Sequence, residues 1–320
     1  MKFLYIKSGY NGIYPFFDQW IEDAAKKKEV LVDSLSPKIN PLDLHTILLS
    51  SKPSFVLIMI GDRIPFSLLN VIKENDIPIV IWFTEDPFYI DISLKVLPFA
   101  DHILSIDESA CKYYQSLGYR NIHHFPLATN KEIFKPLNLK KEIDLLMIGY
   151  PYPNRIHLVE YLLNHTEYSL TLIGEKWRKF LKVNRHKNQR LQLINRWMNP
   201  EEVNQFYNQA KIILNPHREF SFRLNKNTHH IKNSSINNRF FDIYASGGFQ
   251  LINHTVTPPK NCSDGSIFYY ENEKDCVKKI HDYMGDHTLR HDIANLAYLS
   301  TQSEHTFEKR IEQLLEVVKG

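Results

Sequence analysis

A chain of 320 residues is about twice the usual domain size, which sets an expectation of two domains with separate cores. Apolar residues make up 43% and aromatics 12%, which excludes a disordered or fibrous chain. The formal charge is only +3, from 39 basic and 36 acidic residues with no long run of one sign, so composition makes no case for a nucleic-acid partner. Cys111, Cys262 and Cys276 have no paired spacing, which argues against a disulfide framework or a thiolate zinc site and fits a reducing cytoplasm. Neither a signal peptide nor a membrane span is expected, and the sequons at Asn164 and Asn233 then carry no meaning for glycosylation.

In chain order, Phe3 to Lys7, Val30 to Asp33, Phe55 to Ile60, Ile79 to Phe83 and His102 to Ile106 have the length and apolar content of buried strands. Phe16 to Lys28, Phe66 to Glu74 and Ser109 to Leu117 read as helices between them, the last stopped by Gly118. A connector at Ala128 to Lys141 follows. A second series then takes Ile143 to Ile148, Leu170 to Ile173, Lys211 to Asn215 and Gly248 to Asn253 as strands, with helices at Ile156 to Leu163, Glu201 to Gln209 and Ile236 to Ala245. Such alternation predicts an α/β protein of two doubly wound parallel-sheet domains, 1–135 and 136–303. The helix expected over Glu304 to Val318, within a segment 304–320, carries Phe307, Ile311, Leu314, Leu315 and Val318 in helical spacing and is expected to pack back on the N-terminal domain. The polar, aperiodic stretch Arg218 to Ser235 reads as a long loop beside a site, a mobile lid, or a segment without function.

Candidate chemistry gathers in Asn237 to Ile252. Arg239 and Asp242 sit three apart on one helical face, a cation beside a carboxylate, and Gly247 and Gly248 end the helix before a strand. A carboxylate can accept both hydroxyls of a ribose and a guanidinium can fork onto phosphate oxygens. A surface ion pair satisfies the same spacing. Gly149, after the first strand of the second series, stands where a βα turn aims N–H groups at a pyrophosphate. Arg155 lies in the next helix's first turn, against the dipole, which fits either phosphate contact or a solvated arginine. Tyr150 and Tyr152, each followed by proline, form a rigid aromatic turn suited to wall a nucleobase or simply to fix the chain. In the first domain, Gly9 follows the first strand without a full GxGxxG, while Gly61-Asp62-Arg63 and Glu85-Asp86-Pro87 follow buried strands at their carboxyl ends, where open α/β sheets place ligands. Either Glu85 or Asp86 suits a general base if burial raises its proton affinity, and a purely structural turn is the alternative. His217, Arg218 and the His229-His230 pair form a further cluster without metal-ligand spacing, so no catalytic metal is expected.

The string from Arg239 to Leu251, Arg-Phe-Phe-Asp-Ile-Tyr-Ala-Ser-Gly-Gly-Phe-Gln-Leu, resembles the motif of the CgeB-like spore-maturation proteins, relatives of the group 1 glycosyltransferases. The resemblance extends to Trp82-Phe83-Thr84-Glu85-Asp86-Pro87 and to Ile148-Gly149-Tyr150 with Arg155, and so covers most of the chain. It implies a glycosyltransferase B fold of two facing Rossmann-like domains, the first on the acceptor side and the second binding a nucleotide diphosphate sugar. It also implies no cofactor, a UDP-sugar as donor, retention of configuration, and a place in spore-surface glycosylation. The acceptor is left open between protein, polysaccharide and small molecule. By motif, Asp242 stands where these enzymes hold the donor ribose with glutamate, and Ser234 stands eight positions upstream where another glutamate is usual. The resemblance further implies that Arg155 and Arg239, with amides near Gly149 and Gly9, stabilise the diphosphate as the anomeric bond breaks, Tyr150, His217, Gly247 and Gly248 completing the donor site. A non-catalytic, glycosyltransferase-like binding or structural protein of the spore surface is the main alternative, and a nucleotide-sugar epimerase a third.

Overall fold

The computed structural model describes all residues except 183–188, 260, 261, 263, 264 and 320. The chain divides into two compact units, one of Met1–Leu127, Arg223–Ser235 and Phe307–Gly320, the other of Ala128–Phe222 and Ile236–Thr306.

The first unit alternates β1 (Lys2–Ile6), α1 (Tyr14–Lys27), β2 (Leu31–Leu35), α2 (Pro41–Ser51), β3 (Val56–Met59), α3 (Phe66–Glu74), β4 (Ile79–Phe83), α4 (Ile90–Val96), β5 (His102–Ser105), α5 (Glu108–Ser116) and β6 (Ile122–His124). Its sheet runs β2-β1-β3-β4-β5-β6, all parallel. The inner strands β3 and β4 read Val-Leu-Ile-Met and Ile-Val-Ile-Trp-Phe and are buried along their whole length, because helices cover both faces. Removing each such side chain from water contributes ~1.5–3 kcal/mol.

The second unit carries β7 (Ile143–Ile148), α6 (Pro153–His165), β8 (Leu170–Ile173), α7 (Trp177–Phe180), β9 (Leu191–Ile194), α8 (Pro200–Gln209), β10 (Ala210–Leu214), α9 (Arg239–Ala245), β11 (Gln250–Asn253), β12 (Phe268–Tyr270), α10 (Glu273–Met284) and α11 (His287–Glu304). Its sheet runs β12-β11-β10-β7-β8-β9, again parallel. A capping box between Asn199 and Glu202 fixes the start of α8.

The last helix, α12 (Phe307–Lys319), belongs to the first unit: Phe307 meets Phe17 and Trp20 of α1 with ring centres 6.0 and 5.5 Å apart, and Glu308 pairs with Lys27 at 3.1 Å. The expected helix from 304 therefore splits, since α11 runs to Glu304 and α12 begins at Phe307. Residues 223–235, inside the span expected for the second domain, pack with the first unit instead. Thr228 donates from its backbone and hydroxyl to Asp91, Lys226 N–H donates to Phe88, and Ile231 joins the first core. These contacts bond Lys226 to Ile231, within the stretch expected as a long loop, to the first unit.

In each sheet the order reverses beside its first strand, between β1 and β3 and between β7 and β10. At such a switch point the loops leaving the two strands diverge and open a crevice at their carboxyl ends. Gly9 and Asp62-Arg63 lie at the first of these places and Gly149, Tyr150, Arg155 and His217 at the second.

Candidate functional site

In the second unit, β7 is followed by Gly149, whose φ of +137° lies where side chains are rarely tolerated. A Cβ built there would stand 2.5 Å from Nη1 of Arg155 and 3.4 Å from Nη1 of Arg239, so two guanidinia close on the space that the missing side chain leaves. The indole of Trp177 donates to the Gly149 carbonyl at 2.8 Å and holds the turn from behind.

The two cations differ in role. Arg155 is only 2% exposed, against the expectation that left it solvated as one alternative. Its Nε and Nη2 donate to the Pro216 carbonyl at 3.0 and 2.8 Å and its Nη1 to the Tyr150 carbonyl at 3.1 Å, which ties the β7 loop to the β10 loop. Burial, with Arg239 adding like-charge repulsion, pushes its pKa down to about 9. Arg239, the first residue of α9, is half-buried and has no hydrogen bond or ion pair among the described residues. A cation in this position presents unused N–H donors.

Asp242 does not pair with Arg239, so the surface ion pair that spacing allowed is absent. It is 5% exposed, with Oδ2 accepting from Asn238 at 3.0 Å and Oδ1 left without a hydrogen bond among the described residues. Burial pushes its pKa up to about 8, although Thr129 and Arg239 nearby ease its charge. Near neutral pH it is therefore largely an acid able to donate.

His217 is 3% exposed and both ring nitrogens are taken. The Asn237 N–H donates to Nε2 at 2.9 Å, which makes Nε2 an acceptor and leaves the proton on Nδ1, 3.2 Å from Oδ1 of Asn253. Burial and the Arg239 charge push its pKa down to about 3. His217 thus orients the chain entering α9 rather than presenting a free nitrogen. Sequence reasoning missed the amides around it: Asn215 and Asn237 bond each other in both directions, Asn215 also reaches Gln250, and Gln250 donates to the Phe240 carbonyl. Only the run of Asn and Gln at strand ends hinted at this network.

Tyr150 lies in an aromatic group at the same edge, 5.0 Å from Tyr152 and 6.3 Å from Phe180, with Lys176 5.4 Å over its ring. Arg155 and Arg218 sit 5.0 and 5.2 Å from the Tyr152 ring, and Phe222 meets it edge-on.

Gly247 and Gly248 are not part of this group. They precede β11, at the amino edge of a parallel sheet whose carboxyl edge bears Gly149. A Cβ on Gly248 would press to 2.7 Å of Ile213 and 2.9 Å of Ile243, so its smallness serves the packing of α9 on β10. Gly247, at φ +67°, caps α9 through its N–H to the Tyr244 carbonyl.

The first unit has its own loop cluster. Gly9, at φ +71°, accepts from Nη1 of Arg63 at 2.5 Å, Arg63 lies 3.6 Å over the Tyr10 ring, and the Tyr10 hydroxyl donates to Asp62 at 2.5 Å. Glu85 accepts from the Tyr14 hydroxyl at 2.5 Å and stays half-buried. Asp86 is 1% exposed and accepts from Ser93, Ser105 and Tyr114 at 2.7–2.8 Å, which leaves no oxygen for a substrate hydroxyl. Burial pushes its pKa up to about 7, and its place is that of a buried strut. Ser234 accepts from the Ser109 N–H at 3.1 Å, and its own N–H donates to Asp107, the cap of α5.

Two doubly wound parallel units with loop clusters at their switch points place the chain in the glycosyltransferase B fold class. An alpha-glucosyltransferase solved with UDP and a 13-mer DNA containing a central A:G mismatch has a TM-score of 0.66 at 12% identity, covering 100% of this chain and 99% of that one. HepE from Anabaena, solved with UDP-glucose, has a TM-score of 0.65 at 9% identity over the same shares. At these identities the likeness is one of fold. Residues 131–316 match a family described as glycosyl transferase-like, and spore protein CgeB of Bacillus subtilis (strain 168) is 37% identical over 313 residues, 97% of this chain and 96% of that protein. The chain belongs to this glycosyl transferase-like family and is a relative of CgeB. Among the described residues no helix is long and apolar enough to cross a membrane.

Proposed function

We propose that this protein transfers a sugar from a nucleotide diphosphate donor, UDP-sugar being the donor class, and that the second unit holds the donor. The observation that carries the reading is Arg239: a half-buried guanidinium without a partner among the described residues, brought with Arg155 to the open face of Gly149 at the β7–β10 switch point. A diphosphate supplies the negative charge this corner lacks. As the bond from the anomeric carbon to the β-phosphate oxygen breaks, charge grows on that oxygen, and a fixed guanidinium stabilises it without reorganisation. Arg239 takes the phosphate, Asp242 faces the ribose, and the Tyr150–Tyr152 rings line the base. Guanidinia in place of a metal, and retention at the anomeric carbon, complete the reading. Of the two acidic residues after β4, Glu85 is the one open enough to meet an acceptor hydroxyl. Likeness to CgeB supports a role in decorating the spore surface.

Calorimetric titration with UDP, GDP, ADP, dTDP and their sugars tests this. One nucleoside diphosphate should bind saturably, and Arg239→Met should weaken it by roughly 10–150-fold, the range of a lost charge-assisted hydrogen bond. Equal affinity in the variant, or no nucleotide binding at all, would sink the proposal.

A further inference from the structure

The amino edge of the second sheet holds a concentration of positive charge that the donor reading does not use. A cavity of about 60 Å³ is lined there by Lys141, Lys211, His287, Arg290 and His291, with Gly247 and Phe249 as its apolar wall. Lys141 precedes β7 and Gly247 precedes β11, so the cavity lies at the end of the parallel sheet opposite Gly149. Its cations are incompletely matched. Lys211 pairs with Asp144 at 2.7 Å, and Arg290 spends Nη1 on the carbonyls of Tyr283 and Met284 at the end of α10. Lys141 has no hydrogen bond or ion pair among the described residues, and burial beside Arg290 pushes its pKa down to about 8. The start of α11 brings further basic residues to the cavity. Asp286 caps this helix, accepting from the Leu289 N–H at 2.8 Å, and His287, Arg290 and His291 occupy or directly follow its first turn, the two imidazoles stacked 6.3 Å apart.

We infer that this cavity is a second anion site, separate from the donor site, that takes a phosphoryl dianion either as free phosphate or as the phosphate of a small phosphomonoester. Its volume is several times the roughly 10–15 Å³ that one water centre needs, which suits a group of about five heavy atoms. With Asp144 on Lys211 and Asp286 beside Arg290, Lys141 is the cation left unmatched, and a tetrahedral oxyanion can accept from Lys141, Lys211 and the imidazoles at once.

The test is isothermal titration at pH 7 and low salt with inorganic phosphate, glucose 6-phosphate and acetate, on the full chain and on Lys141→Gln and Arg239→Met. Saturable phosphate binding should be weakened at least about tenfold in Lys141→Gln and unchanged in Arg239→Met, while acetate gives no saturable heat. Tighter glucose 6-phosphate than phosphate would assign a phosphomonoester, and the reverse order the free ion. Lys141 has no partner to lose, so the variant should melt no lower than the parent, which separates loss of the site from loss of the fold. Absence of saturable phosphate binding, or binding that survives in Lys141→Gln and is lost in Arg239→Met, would overturn the inference.

Discussion

The guanidinium of Arg155 closes the second switch point by donating twice to the carbonyl of Pro216, from Nε at 3.0 Å and from Nη2 at 2.8 Å. A planar fork with a fixed pair of N–H groups is what holds β7 and β10 at one spacing here, and lysine has no such fork. Arg155→Lys keeps the charge but leaves at least one buried carbonyl unpaired. We expect it to lower unfolding free energy by ~1.5–3 kcal/mol, read from urea midpoints, and to weaken nucleotide binding because Gly149 and the Tyr150 turn lose their register. A variant as stable as the parent would show that the bridge is dispensable.

Gly149→Ala probes the same corner through the backbone. The added methyl must sit at φ +137° and 2.5 Å from Nη1 of Arg155, so either the turn or the guanidinium moves. Strain of this kind costs ~1–3 kcal/mol. Nucleotide affinity should fall with stability, whereas Gly118→Ala, also at positive φ but with open space around it, should cost stability alone. Calorimetry on both variants decides, and undiminished binding by Gly149→Ala would remove this glycine from the site.

Much of the fold was legible because the inner strands are short, apolar on both faces and bounded by polar turns. The expected strands Ile79 to Phe83, Ile143 to Ile148 and Leu170 to Ile173 coincide with β4, β7 and β8. Of the four edge strands, β2 overlaps the strand expected over Val30 to Asp33 and the other three escaped: β6 is three residues with two histidines, β12 is three residues, and β9 is only half-buried, so none of these has the apolar run that marks an inner strand. Gly149 and Arg155 were legible as a strand-end glycine and a helix-start cation, while Arg239, expected three residues inside a helix from Ile236, is the first residue of α9. What the sequence hid was depth. Asp86 and Asp242 look like reactive carboxylates on paper, and only the packing of Tyr114 and Ser105 over the one and Thr129 beside the other makes them buried. Gly247 and Gly248 share a motif with Arg239, yet seven helical residues carry the chain to the opposite edge of the sheet.

Asp86 gives a prediction with a definite sign. Its ordinary pKa of 3.8 rises to about 7 in the folded chain, so between those values the folded chain keeps a proton that the unfolded chain has released. The carboxyl's contribution is fully present below about pH 3.8 and drains away as pH rises toward 7, with a slope of up to ~1.4 kcal/mol per pH unit. Asp86→Asn removes the titration while keeping an amide oxygen for Ser105 and Tyr114. Urea unfolding at pH 4.5 and 6.5 should therefore show the parent losing stability relative to this variant as pH rises. Nucleotide affinity at pH 7 should stay unchanged. Parallel stability curves for the two proteins would contradict the buried acid.

His217 carries the opposite sign. Its pKa falls from 6.5 to about 3 on folding, so below pH 6.5 the unfolded chain gains a proton that the folded chain refuses. Its contribution is present above pH 6.5 and is lost as pH falls toward 3, again at up to ~1.4 kcal/mol per unit. The stability advantage of the parent over His217→Gln should shrink between pH 6.5 and 4. A direct measurement accompanies it: nitrogen-15 spectra of the imidazole should show Nδ1 protonated and Nε2 bare, as the Asn237 N–H donating to Nε2 requires, with no titration between pH 5 and 8. Because Asn237 leads into α9, a histidine that did titrate in that range would release the segment that positions Arg239, and nucleotide affinity would then follow the same curve.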